Sequence, residues 1–326
     1  MPEDLNGWEA VGCDLCGSPK NATFIVVEAK HSKAQRPVTL VKCQSCGLVY
    51  LNPRPTQDKI GEFYSSTYYA HGDMVARQKL LRLRLRNRFL EGLGGYGKSL
   101  DLRIVNKLAL VGLVDVIIPS TLRGRLLDVG CGDGERVLWY QSRGFEAYGV
   151  ETSARAVENA RSLELKVQQG TLSDANYPDN FFDVIVMAHV LEHTHSPQAY
   201  LRECSRILKQ GGVLAVAVPN IESQSASVLR EDWSFLMLPI HLYHFSVGTL
   251  SEYLRQNNFV IDSLVGKLVY PRMVRSSCRN ARRSRSFSAY AKAWLRTGIL
   301  PTALASLNGG IRKYETITTY CVKAQT

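Results

Sequence analysis

Residues 126–134 read LLDVGCGDG, a short apolar run that ends in an acid and passes into a turn rich in glycine. Glycine permits the tight backbone of such a turn and lets a ligand lie against bare peptide groups at a helix N-terminus. The stretch therefore predicts a strand over 125–129, then a ligand-binding turn and a helix. The dinucleotide fingerprint GxGxxG would need glycine at position 135, where the chain has Glu135.

The chain after this turn alternates between strand-like and helix-like segments. Further runs typical of strands are AYGV (147–150), LKVQQ (165–169), FDVIVMA (182–188), VLAVAVP (213–219) and TITTYCVKA (316–324). Between them, Ser196 followed by Pro197 predicts a capped helix that runs to Leu208. Such alternation predicts an α/β fold with a doubly wound, mostly parallel sheet and helices on both faces.

An acidic residue follows the second predicted strand. Glu151 lies 21 residues after Gly130, about where nucleotide-binding α/β folds place an acid that accepts hydrogen bonds from ribose hydroxyls. A glycine turn alone is a weak signal, but the turn, the spaced acid and the flanking apolar strands are specific together. They predict a ligand that carries a ribose.

Four of the eight cysteines form two CxxC pairs, Cys13 with Cys16 and Cys43 with Cys46, and each pair is followed by glycine. Four thiolates in this spacing suit a tetrahedral Zn²⁺ with no open coordination position, so we predict structural zinc; two redox pairs are the alternative. A unit of about 55 residues buries too little core to fold unaided, and a metal supplies that stability. The other cysteines are predicted to be buried small side chains: Cys131, Cys204, Cys278 and Cys321.

The composition is that of a globular protein, with 45% hydrophobic and 21% charged residues over 326 positions. The net charge of +11 is concentrated in two segments, Arg77 to Lys107 and Pro271 to Arg296. The remainder is mildly acidic, which argues against a protein whose whole surface binds a polyanion. For the basic segments we consider contact with an anionic membrane surface, contact with nucleic acid, which we favour less, and a merely solvated face.

We predict three parts: a zinc-binding unit over 1–55, a basic helical linker or lid over 56–123, and an α/β domain over 124–326 with a basic insertion at about 271–308. The opening MPEDLNGWEA has no secretory signal, and no apolar run reaches the ~18 residues of a membrane span. These features predict a cytoplasmic protein with reduced thiols, peripheral to a membrane surface if the basic segments bind one.

These motifs together resemble the class I S-adenosylmethionine-dependent methyltransferases. Within them, the chain is similar to the branch with an N-terminal zinc-binding unit, often associated with sugar and cell-surface polysaccharide pathways. The resemblance covers about 12–60 and 124–265 and rests on LLDVGCGDG, GVETS, GTLSDANYPDNFFDVIVMAHVLEH, LKQGGVLAVAVPN and PIHLYHFSVGTLSEYLRQNNF. It implies a Rossmann-like, seven-stranded sheet beside a small zinc-ribbon-like unit, with S-adenosylmethionine as the cofactor.

The resemblance also implies a cofactor site. Its residues would be Asp128, Gly130, Cys131 and Gly132 for the methionine part, Glu151 and Thr152 for the ribose, Thr171 and Leu172 for the adenine, and Ala188 and His189 for the sulfonium side. Asp174 or Asn176 would reach the adenine amino group, and the sequence does not choose between them.

Two histidine segments bear on catalysis. HVLEH (189–193) matches the HxxEH pattern of a zinc peptidase family, but that pattern requires a helix, and here it follows a buried strand. PIHLYHFS (239–246) holds His241 and His244, which the resemblance places over the acceptor pocket. Histidine takes up protons near neutral pH, so we predict His241 as the catalytic base, with His244 second; packed, hydrogen-bonded histidines are the alternative. The aromatic stretch FYSSTYYA (63–70) is expected to be a lid or part of the core.

The sequence leaves three functions to compare. We favour methyl transfer to a small or lipid-linked glycan-type acceptor, in which alignment and exclusion of water supply most of the acceleration. The first alternative is an RNA or nucleotide methyltransferase that binds through the zinc unit and the basic segments. Against it, the strand end MAHVLEH lacks the Asn/Asp-Pro-Pro-aromatic tetrad of amino-methylating nucleic-acid enzymes. The second alternative is a non-catalytic protein that binds the cofactor. The oligomeric state is not predicted.

Overall fold

The computed structural model describes residues 7–29, 32–34, 36–64, 116–119, 121–267 and 314–324. Most of the predicted linker and the whole basic insertion lie outside these ranges, as do Tyr68, Tyr69 and Cys278. Over the described ranges, no helix combines the length and the apolar character needed to cross a bilayer.

The described strands, in chain order, are β1 (Trp8–Glu9), β2 (Asn21–Val27), β3 (Val38–Cys43), β4 (Val49–Leu51), β5 (Arg54–Pro55), β6 (Arg125–Val129), β7 (Glu146–Glu151), β8 (Lys166–Gln169), β9 (Phe182–Ala188), β10 (Leu208–Pro219), β11 (Tyr243–His244), β12 (Phe259–Lys267) and β13 (Thr316–Lys323). The described α-helices are α1 (Glu135–Ser142), α2 (Ala154–Arg161), α3 (Pro197–Ile207), α4 (Gln224–Leu229) and α5 (Val247–Gln256). Short 3₁₀ turns cover Ile60–Phe63, Leu191–His193 and Arg230–Asp232.

The central sheet has seven strands in the order β12-β13-β10-β9-β6-β7-β8. The strands from β10 to β8 are parallel, and β13 runs antiparallel to both of its neighbours. The structure thus confirms the predicted Rossmann-like, mostly parallel sheet. β9 is buried on both faces, as its β-branched run predicts: Val184, Ile185 and Val186 are fully buried.

β10 begins earlier than the sequence predicts. α3 ends at Ile207, because the backbone of Leu208 is extended, with ψ 137°. Leu208 pairs with Phe182, the ladder is then irregular, and parallel pairing resumes at Val213. The predicted helix end at Leu208 and the predicted strand start at Val213 are therefore both corrected. Gly211 and Gly212 lie within β10, where they interrupt the strand, and do not separate the helix from the strand.

Local sequence signals start the helices. Ser196 Oγ accepts a hydrogen bond from Ala199 N, and Pro197 occupies the first helical turn, as predicted. Ser246 and Thr249 form a reciprocal capping box at α5. α1 differs, because it begins directly from the glycine turn without a side-chain cap from any described residue.

The two faces of the central sheet carry separate apolar cores. On one face, Trp139 and Tyr140 of α1 are fully buried against the sheet. On the other face, one core extends from Ile185 of β9 to Leu40 and Tyr50 of the N-terminal strands. Full burial of such a side chain contributes about 1.5–3 kcal/mol, so the N-terminal unit gains stability from packing on the α/β domain.

The N-terminal strands form a second, antiparallel sheet in the order β11-β4-β3-β2. Its edge strand β11 comes from the α/β domain, with Tyr243 and His244 opposite Tyr50 and Val49. The unit predicted over 1–55 therefore completes its sheet with the segment that carries the candidate catalytic histidines.

Polar side chains fix this junction. Arg54 is buried and donates a hydrogen bond to the His195 carbonyl at 2.7 Å. Asp14, which lies between the first two cysteines, accepts hydrogen bonds from Ser196 Oγ at 2.7 Å and from Gln198 N at 3.0 Å. Both contacts reach the chain that follows the HVLEH segment, so the N-terminal unit supports this part of the sheet edge.

Candidate active site

The glycine turn lies at the carboxyl end of β6, where the strand order reverses between β9 and β7. Ligands of open α/β sheets bind at such a point. The turn folds onto β7, because Gly130 N and Cys131 N donate to the Val150 carbonyl at 2.8 and 3.1 Å. Gly130 and Gly132 have φ angles of 65° and 54°, which explains the need for glycine at both positions.

Glu151 closes this turn from the end of β7. Its side chain is nearly buried, with the residue 7% exposed, and Oε2 accepts a hydrogen bond from Gly132 N at 3.0 Å. Oε1 accepts from Ser153 N at 2.9 Å and from Thr152 Oγ1 at 3.2 Å. Each carboxylate oxygen has two lone pairs, so Oε2 of Glu151 keeps the capacity to accept one further hydrogen bond, from a ligand hydroxyl.

Asp128 lies beneath the turn and is fully buried. Burial raises the pKa of its carboxyl, against the lowering effect of Arg136, whose Nε lies 3.0 Å from both carboxylate oxygens. Arg136 also lies close to the Gly130 carbonyl. Asp128 therefore shapes the turn through an ion pair with Arg136 that was not predicted from the sequence. The one sequence signal for this ion pair is that Arg136, a cation, stands in the first turn of α1, where acids are favoured.

The segment predicted to face the adenine forms a tight turn after β8. Asp174 Oδ2 accepts hydrogen bonds from Thr171 N at 2.8 Å and Thr171 Oγ1 at 2.7 Å, and these contacts lower the pKa of Asp174. Leu172 is buried. Asp174 thus braces the turn, and Asn176 lies two residues on with a left-handed backbone (φ 46°).

A loop with two histidines and a glutamate follows β9 beside the glycine turn. Ala188 ends the strand and is buried, and His189 follows with φ 58°. His189 Nδ1 lies 3.3 Å from Glu192 Oε1, and its ring stacks on Phe235. HVLEH begins directly after β9 and ends in a 3₁₀ turn, so it does not present its histidines from an α-helix.

The segment before β11 brings His241 to this loop. His241 is 2% exposed, its ring centre lies 4.4 Å from that of His193, and its Nδ1 is 2.7 Å from the Phe235 carbonyl. Burial lowers the pKa of both imidazoles, and for His241 the neighbouring histidines lower it further. We call Glu192, His193 and His241 the histidine–glutamate cluster. Phe235 could not be predicted, because its carbonyl contact has no sequence signal.

His244 and Tyr64 lie next to this cluster. His244 is 3% exposed within β11, and burial lowers its pKa to about 3. Its ring centre lies 6.3 Å from that of His241, so the structure brings the two predicted catalytic histidines close together but embeds His244 in the N-terminal sheet. The Tyr64 hydroxyl lies 3.2 Å from His193 Nδ1, which places the start of the predicted aromatic lid at the cluster.

Gly130 holds the glycine turn against the histidine loop, since a Cβ at this position would lie 2.6 Å from Val190 Cγ2. Gly144 offers a matched control, because its φ of 86° is also left-handed but a Cβ there would meet no described atom within 4 Å. We expect Gly130→Ala to lower the free energy of unfolding by about 1–3 kcal/mol more than Gly144→Ala does, because overpacking a well-packed site typically destabilises a protein by that amount. Urea unfolding measures both; equal losses would show that the contact with Val190 relaxes freely.

The two CxxC pairs form a second candidate site. Cys13 Sγ lies 3.4 Å from Cys46 Sγ, Cys16 Sγ lies 3.6 Å from Cys43 Sγ, and all four sulfurs lie within 4.8 Å of one another. Sulfurs at the corners of a tetrahedron around Zn²⁺, at about 2.3 Å from the ion, lie about 3.8 Å apart. The cysteine donors therefore fit a zinc ion.

A family model described as a methyltransferase domain matches residues 81–264, more than half of the chain. A ubiquinone biosynthesis O-methyltransferase of Bradyrhizobium sp. (strain ORS 278) is 26% identical over 199 residues, which cover 54% of this chain and 78% of the relative. A probable S-adenosylmethionine-dependent methyltransferase of Mycobacterium tuberculosis is 28% identical over 159 residues, 48% of this chain and 56% of the relative. The chain thus spans about half the length of the second relative.

Among solved structures, the YcgJ protein of Bacillus subtilis is similar to this chain with a TM-score of 0.43 and 18% sequence identity. The match covers 62% of this chain and 92% of that protein.

Proposed function

The chain belongs to the methyltransferase-domain family, and on that premise we propose that it transfers the methyl group of S-adenosylmethionine to a hydroxyl group of a small, glycan-type acceptor. The observation that carries this proposal is the position of Glu151, whose carboxylate bridges the glycine turn and the start of α2. An acid held at this edge of the sheet suits the ribose hydroxyls of the cofactor.

The space around the glycine turn also fits the cofactor. A Cβ at Gly132 would meet no described atom within 4 Å, so the backbone borders open space at the point where Glu151 contacts it. We propose that Gly130, Gly132 and Glu151 bind the methionine and ribose parts, and that Thr171 and Leu172 border the adenine.

When bound, S-adenosylmethionine supplies a methyl group on a sulfonium, and transfer to an acceptor oxygen breaks the S–C bond and leaves its electron pair on sulfur. The chain then has to hold the acceptor in line, to exclude water and to promote loss of the acceptor's proton. Val190 and Ala188 supply an apolar wall beside the glycine turn. We assign the loss of the proton to the histidine–glutamate cluster, where the sequence analysis predicts His241 as the base.

The glycan-type acceptor rests on the sequence resemblance and on the chemistry of the cluster. Carboxylate oxygens and imidazole lone pairs accept hydrogen bonds, and an acceptor rich in hydroxyls supplies the matching donors. A relative named for O-methylation in ubiquinone biosynthesis makes a hydroxyl group of a small molecule from that kind of pathway the second candidate. Contact of the basic segments with a membrane, which would suit a lipid-linked acceptor, stays a prediction because those segments lie outside the described residues.

The test has two steps. Calorimetry should show that S-adenosylhomocysteine binds the chain at one site, whereas NADH binds weakly or not at all; tighter binding of NADH would contradict the proposal. Radiolabelled S-adenosylmethionine should then label acceptors from a panel of nucleotide sugars, glycolipids, catechols and RNA. Labelling of RNA alone would move the function to the nucleic-acid alternative.

We propose that Cys13, Cys16, Cys43 and Cys46 hold one structural Zn²⁺. Cys46→Ser should remove this ion and unfold the N-terminal sheet, because the metal supplies folding free energy that the small unit lacks. Metal analysis of the reduced protein and circular dichroism measure both effects. Cys204→Ala, at a fully buried position on α3, is the control that should keep the ion. Full retention of zinc in Cys46→Ser would refute this site.

A further inference from the structure

We propose that the histidine–glutamate cluster binds a divalent first-row transition metal ion through Glu192, His193 and His241. One candidate ligand atom of each residue lies within 4.8 Å of the others. The ligands come from two segments that a backbone hydrogen bond joins, from Leu242 N to the Glu192 carbonyl at 2.8 Å. The role of the ion in catalysis rests on the proposed function, whereas the site itself rests on these residues alone.

The carboxylate of Glu192 supplies the first argument. Glu192 is 1% exposed, and Oε1 lies 3.3 Å from His189 Nδ1. Oε2 is buried and has no hydrogen-bond partner in the described part of the chain. A buried carboxylate oxygen is costly without a partner, and nearly all such atoms in proteins have one. A cation in the cluster would satisfy this oxygen.

The two imidazoles supply the second argument. His241 Nδ1 lies 2.7 Å from the Phe235 carbonyl, and His193 Nδ1 lies 3.1 Å from the Ile240 carbonyl. A carbonyl can only accept, so a hydrogen bond to it requires the proton on Nδ1 and leaves the lone pair on Nε2. His193 Nδ1 also lies 3.2 Å from the Tyr64 hydroxyl, which accepts as well as donates and so is compatible with this tautomer. Histidines that ligate metals almost always donate their other N–H to such a carbonyl or carboxylate, which fixes the tautomer and the ring orientation. The rings meet edge to face, at 86°.

The donor set points to the class of metal. Two imidazole nitrogens and one carboxylate oxygen form the set typical of Fe²⁺ sites with open positions, and Zn²⁺ and Co²⁺ accept the same ligands. The cysteine site differs in kind, because four soft thiolates leave no open position. An ion in the cluster would bind the acceptor hydroxyl oxygen and favour release of its proton to water. His241 would then be a ligand that holds this ion.

The experiment titrates Co²⁺ into the full chain with zinc already in the cysteine site. We expect one Co²⁺ to bind per chain, with visible d–d bands but without the thiolate charge-transfer band that cysteine ligands produce. Asparagine tolerates the left-handed backbone at position 189, so His189→Asn should preserve the loop while it removes the partner of Glu192 Oε1. Because that partner orients a ligand, the variant should weaken Co²⁺ binding about 10- to 100-fold. Glu192→Gln and His241→Ala remove ligands and should weaken it more.

Two control variants lie outside the cluster. Glu203→Gln on α3 and His195→Ala, whose ring contacts the Pro55 carbonyl, should bind Co²⁺ as the wild type does. The proposal is overturned if the wild type with one zinc ion per chain binds no Co²⁺. It is also overturned if Glu192→Gln binds Co²⁺ unchanged. This isosteric variant decides the case should His241→Ala not fold. S-adenosylhomocysteine binding without Co²⁺ binding would leave the proposed function standing, and loss of S-adenosylhomocysteine binding would refute that function separately.

Discussion

Replacing His241 with alanine should lower turnover by about 10²–10⁴-fold, the usual range for a group that moves the acceptor's proton. Affinity for S-adenosylhomocysteine should stay unchanged, because His241 belongs to the segment before β11, outside the glycine turn and the end of β7. Initial rates with the acceptor found in the screen measure the first effect. Calorimetry measures the second and does not depend on the acceptor.

The buried position of His241 requires a control for folding. Truncation of a buried side chain leaves a cavity, so thermal unfolding of the variant has to accompany the rates. His195→Ala removes a nearby imidazole that hydrogen-bonds to the backbone of Pro55, and this variant should keep most of the turnover. A folded His241→Ala protein with most of its turnover would make His241 a packing residue.

The base predicted from the sequence and the metal ligand inferred from the structure respond differently to a chelator. If His241 acts alone as a base, turnover of the wild type does not depend on metal in the cluster. If His241 is a ligand, a chelator too weak to remove the thiolate-bound zinc lowers wild-type turnover, and added metal restores it. His241→Ala should then respond to neither treatment.

The central sheet could be predicted because its signals are local. FDVIVMA and RLLDV are β-branched or apolar runs whose burial follows from composition, and both strands form at the predicted residues. The start of β10 could not be predicted, because Leu208 joins the sheet through its pairing with Phe182 and not through a local signal.

The glycine turn and the histidine–glutamate cluster differ in the same respect. The spacing after the second strand marks Glu151 as a candidate for ribose hydroxyls, and the structure places its carboxylate at the glycine turn, 3.0 Å from Gly132 N. The histidine–glutamate cluster depends on residues that are distant in sequence: His241 reaches Glu192 and His193 because β11 pairs with Tyr50 and Val49 of the N-terminal sheet. The sequence carries no local signal for that pairing, so the contact between the N-terminal unit and the segment that carries His241 could not be predicted.

Replacing Glu151 with alanine should weaken binding of S-adenosylmethionine by about 10- to 150-fold. Charge-assisted hydrogen bonds of the kind expected between this carboxylate and the ribose hydroxyls contribute roughly 1.5–3 kcal/mol, which corresponds to that range. The variant also removes the acceptor of the Gly132 N–H and Ser153 N–H hydrogen bonds, so the turn loses part of its support at the same time.

Two further variants separate these contributions to cofactor affinity. Glu151→Gln retains an oxygen that accepts from one backbone N–H but loses the charge, and its affinity should fall between those of the wild type and Glu151→Ala. Glu158→Ala removes an exposed acid of α2 and should leave affinity unchanged, which controls for the loss of negative charge near the site. Calorimetry with S-adenosylhomocysteine gives all four affinities. If Glu151→Ala bound as tightly as Glu158→Ala, the ribose would have to lie elsewhere, and the cofactor site proposed at this edge of the sheet would be refuted.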